Sequence, residues 1–99
     1  MKLKSNYYKE EFGSFYLYDP NDNLVLMTDQ ISMVYDAESG TMFKHGPLEA
    51  AEAYFTKAVK TFPMTQIVTF TKDFPLEEIN KCLASSTYLP FMLEKYRSI

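Results

Sequence analysis

Apolar residues recur along this chain at more than one spacing, and the spacing changes where the elements change. Between residues 46 and 63 the period is helical. Leu48, Ala51, Phe55, Val59 and Phe62 fall three or four apart and so share one face of an α-helix, with Ala58 widening the stripe. Pro47 suits the first helical position, where a missing N–H costs nothing, and Pro63 stops the helix. Glu49 and Glu52 come early and Lys57 and Lys60 late, so the charges run with the helix dipole. Such a face needs a sheet to lie on.

The segments before this helix read as strands. Ser14-Phe15-Tyr16-Leu17-Tyr18 is aromatic and β-prone, and Asp19-Pro20-Asn21-Asp22-Asn23 is a turn that leads into Leu24-Val25-Leu26-Met27-Thr28. Together they predict an antiparallel hairpin with a five-residue loop. A third strand is expected at 31–35, a turn ending at Gly40, and a short fourth strand at 41–44. After the helix, residues 65–71 form the segment richest in β-branched side chains. Asp73 and Pro75 then open a second helix through Leu76, Ile79 and Leu83, with Cys82 beside them. Ser85-Ser86-Thr87 frays it, and Thr87 caps a third helix through Leu89, Leu93 and Tyr96 that tolerates Pro90 in its first turn. Residues 1–9 lack a period and read as a mobile or loosely docked start.

The predicted order is β-β-β-(β)-α-β-α-α. It implies a single α+β domain over 1–99, a two-layer structure with an antiparallel meander of three or four strands, one further strand, and two or three helices packed on one face. The hairpin strands carry large side chains on both faces, Phe15 and Leu17 on one and Tyr16 and Tyr18 on the other. If one face meets the helices, the other is a tyrosine-bearing surface beside acidic turns.

Composition supports a folded chain: eight Phe, eight Tyr and 46% hydrophobic residues supply a core for 99 residues. No apolar run approaches the roughly 18–20 residues of a membrane span, the start lacks the apolar block of a signal peptide, and a single cysteine makes no internal disulfide. The expectation is a soluble cytoplasmic protein. Net charge is −3, but it is unevenly spread, since residues 10–55 hold nine acids against Lys44 alone. That half of the chain repels nucleic acid and membrane phosphates and attracts basic protein surfaces.

Several chemistries lack their residues. A zinc site on nitrogen or sulfur needs three or four ligands, and His45 and Cys82 are the only ones of their kinds. Cys82 reads as a small core residue and His45, before Gly46-Pro47, as a turn or capping residue. Asp19-Pro20-Asn21-Asp22-Asn23 begins like a calcium loop but continues with Leu24 where glycine is needed and Gln30 where a glutamate is needed. Gly13, Gly40 and Gly46 are too far apart for a phosphate-binding loop. The pairs Glu10-Glu11, Asp36 with Glu38, and Glu77-Glu78 read as solvated faces rather than acid–base pairs, because so small a domain has little room for a cleft. The aromatic strand lacks the basic surround of a base-stacking platform, which argues against direct nucleic-acid binding.

What remains is a non-enzymatic binding module without cofactor or metal. Carboxylates steer and pair with Arg or Lys while tyrosines give rigid contact area, so the expected contact residues are Tyr16, Tyr18, Asp19, Asp22, Asp29, Tyr35, Asp36 and Glu38. The expected partner is a basic protein surface, such as a nucleic-acid-handling complex whose groove an acidic mimic would block. In size, charge and lack of catalytic chemistry the chain is similar to the small acidic inhibitors with which phages counter host defence, although no motif carries that resemblance. The alternative is a structural or accessory subunit, with the Tyr and Met surface buried in a homo-oligomer or larger assembly. A third reading is a small enzyme or small-molecule binder.

Overall fold

The computed structural model describes residues 5–97. Its elements follow in the order β1 (Tyr7–Glu11), β2 (Ser14–Tyr18), β3 (Leu24–Thr28), β4 (Ile31–Asp36), β5 (Met42–Gly46), α1 (Leu48–Thr61), β6 (Thr65–Phe70), α2 (Leu76–Ala84) and α3 (Tyr88–Arg97). The α+β class and the predicted order hold, with one strand added at the start. Tyr7, Tyr8 and Lys9, expected in a loose N-terminal segment, pair with Tyr18, Leu17 and Tyr16, and Tyr8 is 1% exposed. Residues 1–4 of that segment lie outside the described residues.

The strands divide between two antiparallel sheets instead of forming one meander. β1, β2 and β3 make a sheet in that order, here sheet A, and β5, β4 and β6 make the other, sheet B. The chain leaves sheet A through Asp29-Gln30 and enters sheet B with β4, its central strand. All six residues of β4 are buried. By the two-residue period of a strand, Ile31, Met33 and Tyr35 enter the main core, leaving Ser32 and Val34 for the side that α1 covers. Burial on both sides takes in even the polar residues of the second row, Ser32 and Asp36. The helices accordingly divide, with α1 on one face of sheet B and the main core on the other.

In that core the two sheets meet α2 and α3. Tyr8, Phe15 and Leu17 from sheet A pack with Ile31, Met33, Tyr35 and Phe70 from sheet B, Ile79 and Cys82 from α2, and Leu89 and Met92 from α3. Two polar ties fix the layers relative to one another. The Tyr8 hydroxyl lies 2.8 Å from His45 Nδ1, which joins β1 to β5 across the sheets. The Asn80 side chain accepts the Tyr8 N–H at 2.7 Å and donates to the Tyr8 carbonyl at 3.0 Å, so an amide on α2 stands in for a neighbouring strand and closes the outer edge of β1 at that residue. α2 and α3 are joined by Glu78, 3% exposed, whose carboxylate accepts bonds from Tyr88, Lys95 and Tyr96 at 2.9, 2.9 and 3.2 Å and pairs with Lys81 at 3.3 Å. The lysine and tyrosine donors hold it well below the usual carboxylate range, at about 2. The expectation that Glu77-Glu78 is a solvated face therefore fails for Glu78, while Glu77 is exposed.

Candidate interaction face on sheet A

Cross-strand register decides what the outer side of sheet A displays. Tyr8, Leu17 and Leu26 are directly opposite one another and face the core, as does Phe15 opposite Thr28. The alternate positions form the outer face in two rows, Tyr7, Tyr18 and Leu24 in one, Lys9, Tyr16 and Met27 in the other. Tyr7 and Tyr18 stack with ring centroids 5.4 Å apart, and the Lys9 ammonium sits 5.4 Å above the Tyr18 ring. Leu24 and Met27 are 57% and 58% exposed. Val25, also exposed, is the extra residue of a bulge where Leu17 and Tyr18 oppose Leu26 and Leu24. Among the described residues β3 is thus an apolar edge strand whose far side bears no strand.

Acids stand at both ends of this face. At one end Asp19 begins the β2–β3 turn, its carboxylate accepting the N–H groups of Asn21 and Asn23 at 2.9 Å each, which lowers its pKa and keeps it charged. Asp22 follows in the left-handed conformation, φ 67°, that aspartate tolerates, and accepts the Tyr7 hydroxyl at 2.7 Å. That bond pushes the Tyr7 phenol up to about 12. At the other end Asp29 accepts the Ser14 hydroxyl at 3.2 Å. The two ends are separated by the span of β3, about 17 Å for five residues.

The structure thus brings together five of the eight residues singled out in the sequence: Tyr16, Tyr18, Asp19, Asp22 and Asp29. The other three lie at the end of β4 and in the β4–β5 turn. Tyr35 is in the core at 8% exposure and Asp36 is 5% exposed. The Asp36 carboxylate turns inward on its own loop, accepting the N–H groups of Glu38 and Ser39 at 3.1 and 3.3 Å, which with the Ser39 side chain lowers its pKa. Neither Tyr35 nor Asp36 presents its side chain to a partner, because the first fills the core and the second caps the β4–β5 turn. Glu38 is exposed at that turn.

Phe12 was not visible as a surface residue from sequence. Glu11 pairs with Ser14, so Phe12 and Gly13 alone form the β1–β2 turn, at φ 54° and 80°. Positive φ at both central positions is the I′ hairpin signature. The X-Gly pair between two aromatic runs was the available signal, hidden because phenylalanine is not a turn residue. Its ring is 96% exposed.

Elsewhere the surface is plainer. An open depression of about 280 Å³ between β5 and α1 is lined by Lys44, Ala50, Ala53, Tyr54 and Lys57. Cys82 is fully buried, its Sγ 3.8 Å from Met92 Sδ, and burial pushes its thiol up to about 12. Among the described residues no cluster of three or more His, Cys, Asp or Glu has metal-binding geometry, and no helix is long and apolar enough to cross a membrane. No protein-family model, no curated protein and no solved structure matches this chain, so the face on sheet A has to be interpreted from its own chemistry.

Proposed function

We propose that this chain is a non-enzymatic protein-binding module, a stoichiometric inhibitor or modulator that uses the outer face of sheet A to engage a basic surface of a nucleic-acid-handling complex, as an anti-defence protein of the phage type would. The observation that carries this reading is the outer surface of half-buried Tyr16 and Tyr18 and exposed Leu24 and Met27, with Asp19 and Asp22 at one end and Asp29 at the other. Aromatic and aliphatic side chains supply desolvated contact area, and carboxylates around them pair with Arg or Lys and steer approach. Two acidic ends about 17 Å apart suit two separate basic patches better than a continuous phosphate path, so any nucleic-acid mimicry would lie in charge placement at the ends of the face.

The test is affinity capture from a bacterial lysate at low and at high salt. The reading expects a basic partner in stoichiometric amount that is retained at low salt and released at high salt, where exposed charges are screened beyond about 3 Å at 1 M. Failure to retain any protein at low salt counts against it.

A second reading, an accessory subunit that self-assembles, is favoured by the exposed apolar edge of β3. Antiparallel pairing of two β3 edges would place Asp22 of one copy beside Asp29 of the other, which opposes that arrangement electrostatically. Light scattering separates the two, since the second reading requires an oligomer.

A further inference from the structure

Resting on the reading of sheet A as a protein-binding face, we infer that Phe12 is its anchor: the ring at the tip of the β1–β2 hairpin fills an apolar pocket on the partner, and Lys or Arg side chains rim that pocket. Phe12 serves neither of the purposes that place a phenylalanine in a fold. It is absent from the core, with 96% of its surface exposed. Nor does it suit its turn, since an I′ turn asks for Asn, Asp or Gly at the first central position, and a β-carbon at φ 54° crowds the backbone. A residue that breaks a local rule without a gain to the folded chain marks a functional position.

The mounting is that of an anchor. Phe15 and Tyr8, just behind the tip, are each 1% exposed and packed edge to face at 6.5 Å, so the hairpin is held from its inner side. With the hairpin backbone held, only the two side-chain torsions of the ring remain to be ordered on binding, and buried aromatic anchors dominate interface energies.

The surroundings set the pocket's chemistry. Glu10 and Glu11 are exposed on the strand entering the turn, and Asp29 accepts a bond from Ser14 on the strand leaving it. One cation stands beside the turn, Lys72, whose Nζ lies 3.6 Å from where a β-carbon on Gly13 would stand. A predominantly acidic collar around an apolar tip complements an apolar pocket with a basic rim. It opposes insertion into an anionic bilayer, the other common destination of an exposed phenylalanine.

Phe12→Asn provides the test, because it removes the ring and improves the turn. The melting temperature is expected to rise by about 3–6 °C, while capture of the salt-released partner falls at least about tenfold. A photo-reactive p-benzoylphenylalanine at position 12 keeps an aromatic ring and is expected to crosslink to the partner. The same group at Phe91, 70% exposed on α3, is expected to leave it unmarked. A partner captured equally well by Phe12→Asn, or crosslinked no better from position 12 than from 91, overturns the anchor and leaves the binding face standing. A lysate that yields no partner to the unsubstituted protein overturns both. A fall in melting temperature refutes the argument from turn strain. Phe12-dependent sedimentation with vesicles of phosphatidylcholine and phosphatidylglycerol assigns the ring to a membrane and overturns the proposal.

Discussion

Removing the Asn80 side chain tests how sheet A is held to the rest of the molecule. The Asn80 amide meets both backbone groups of Tyr8, at 2.7 and 3.0 Å, and Tyr8 carries one of the largest buried side chains. In Asn80→Ala those two groups lose their partner at the junction of β1 and α2. A hydrogen bond of this kind contributes about 1 kcal/mol net, and a backbone group left unpaired and poorly hydrated costs about 1–3 kcal/mol. Two such groups, at a site where both bonds are only part-buried, put the loss at about 2–3 kcal/mol. For a chain of this length that is a fall in melting temperature of about 10–15 °C. Asn80→Asp separates the two bonds. It preserves shape and the acceptor for the Tyr8 N–H but sets a carboxylate oxygen against the Tyr8 carbonyl, so it is expected to destabilise at least as much as Asn80→Ala. Circular dichroism melts read the stability, and amide exchange reads the place, with Tyr8 and its β1 neighbours losing protection before β4. Melting within about 2 °C of the unsubstituted protein, or an Asp variant as stable as Asn, would refute the view that this amide closes the edge.

Glu78 makes acid stability depend on one carboxylate. Its folded pKa near 2 lies below its ordinary value of 4.5, so its contribution is complete above about 4.5 and is lost as pH falls towards 2. Glu78→Gln is expected to melt lower at neutral pH and to show a flatter dependence of melting temperature on pH between 5 and 2. A slope equal to that of the unsubstituted protein would contradict this. The two carboxylates of the β4–β5 turn should behave differently: Asp36→Ala, losing the bonds to Glu38 and Ser39, lowers the melting temperature by about 5 °C, and exposed Glu38→Lys leaves it within about 2 °C in thermal melts. Tyr8→Phe strips the half-buried His45 Nδ1 of its partner and is expected to cost about 1–3 kcal/mol by urea titration, with no change in the slope of unfolding free energy against urea.

How much of this was legible in the sequence depended on whether one local signal or a tertiary choice decided the outcome. α1 carried start, period and stop together, and it folds within a residue or two of its predicted limits. The β2–β3 hairpin was legible because Asp19 and its neighbours define their own turn through bonds four residues apart or fewer. β1 was missed because Tyr8 is ordered by Asn80 and His45, which lie 72 and 37 residues away. The division into two sheets was equally hidden, since an isolated strand pattern does not say which neighbour it pairs with. The tyrosine-bearing outer face and its flanking acids were legible from alternation alone. Asp36 and Tyr35 were misassigned because an acid that caps its own turn and a tyrosine that fills a core look, one residue at a time, like surface groups. Glu78 failed for the same reason, its four donors coming from two different helices.

The most direct test of the binding face compares three proteins in one capture experiment: the unsubstituted chain, a sheet A variant carrying Asp22→Asn, Met27→Lys and Asp29→Asn, and the sheet B control Glu38→Lys. Asparagine keeps the left-handed backbone at position 22 and an acceptor for the Tyr7 hydroxyl, and Met27 and Asp29 are exposed, so the fold is preserved in all three. The unsubstituted chain and Glu38→Lys are expected to retain the same basic partner at low salt, and the sheet A variant to lose it. Equal retention by all three, with circular dichroism unchanged, would contradict it.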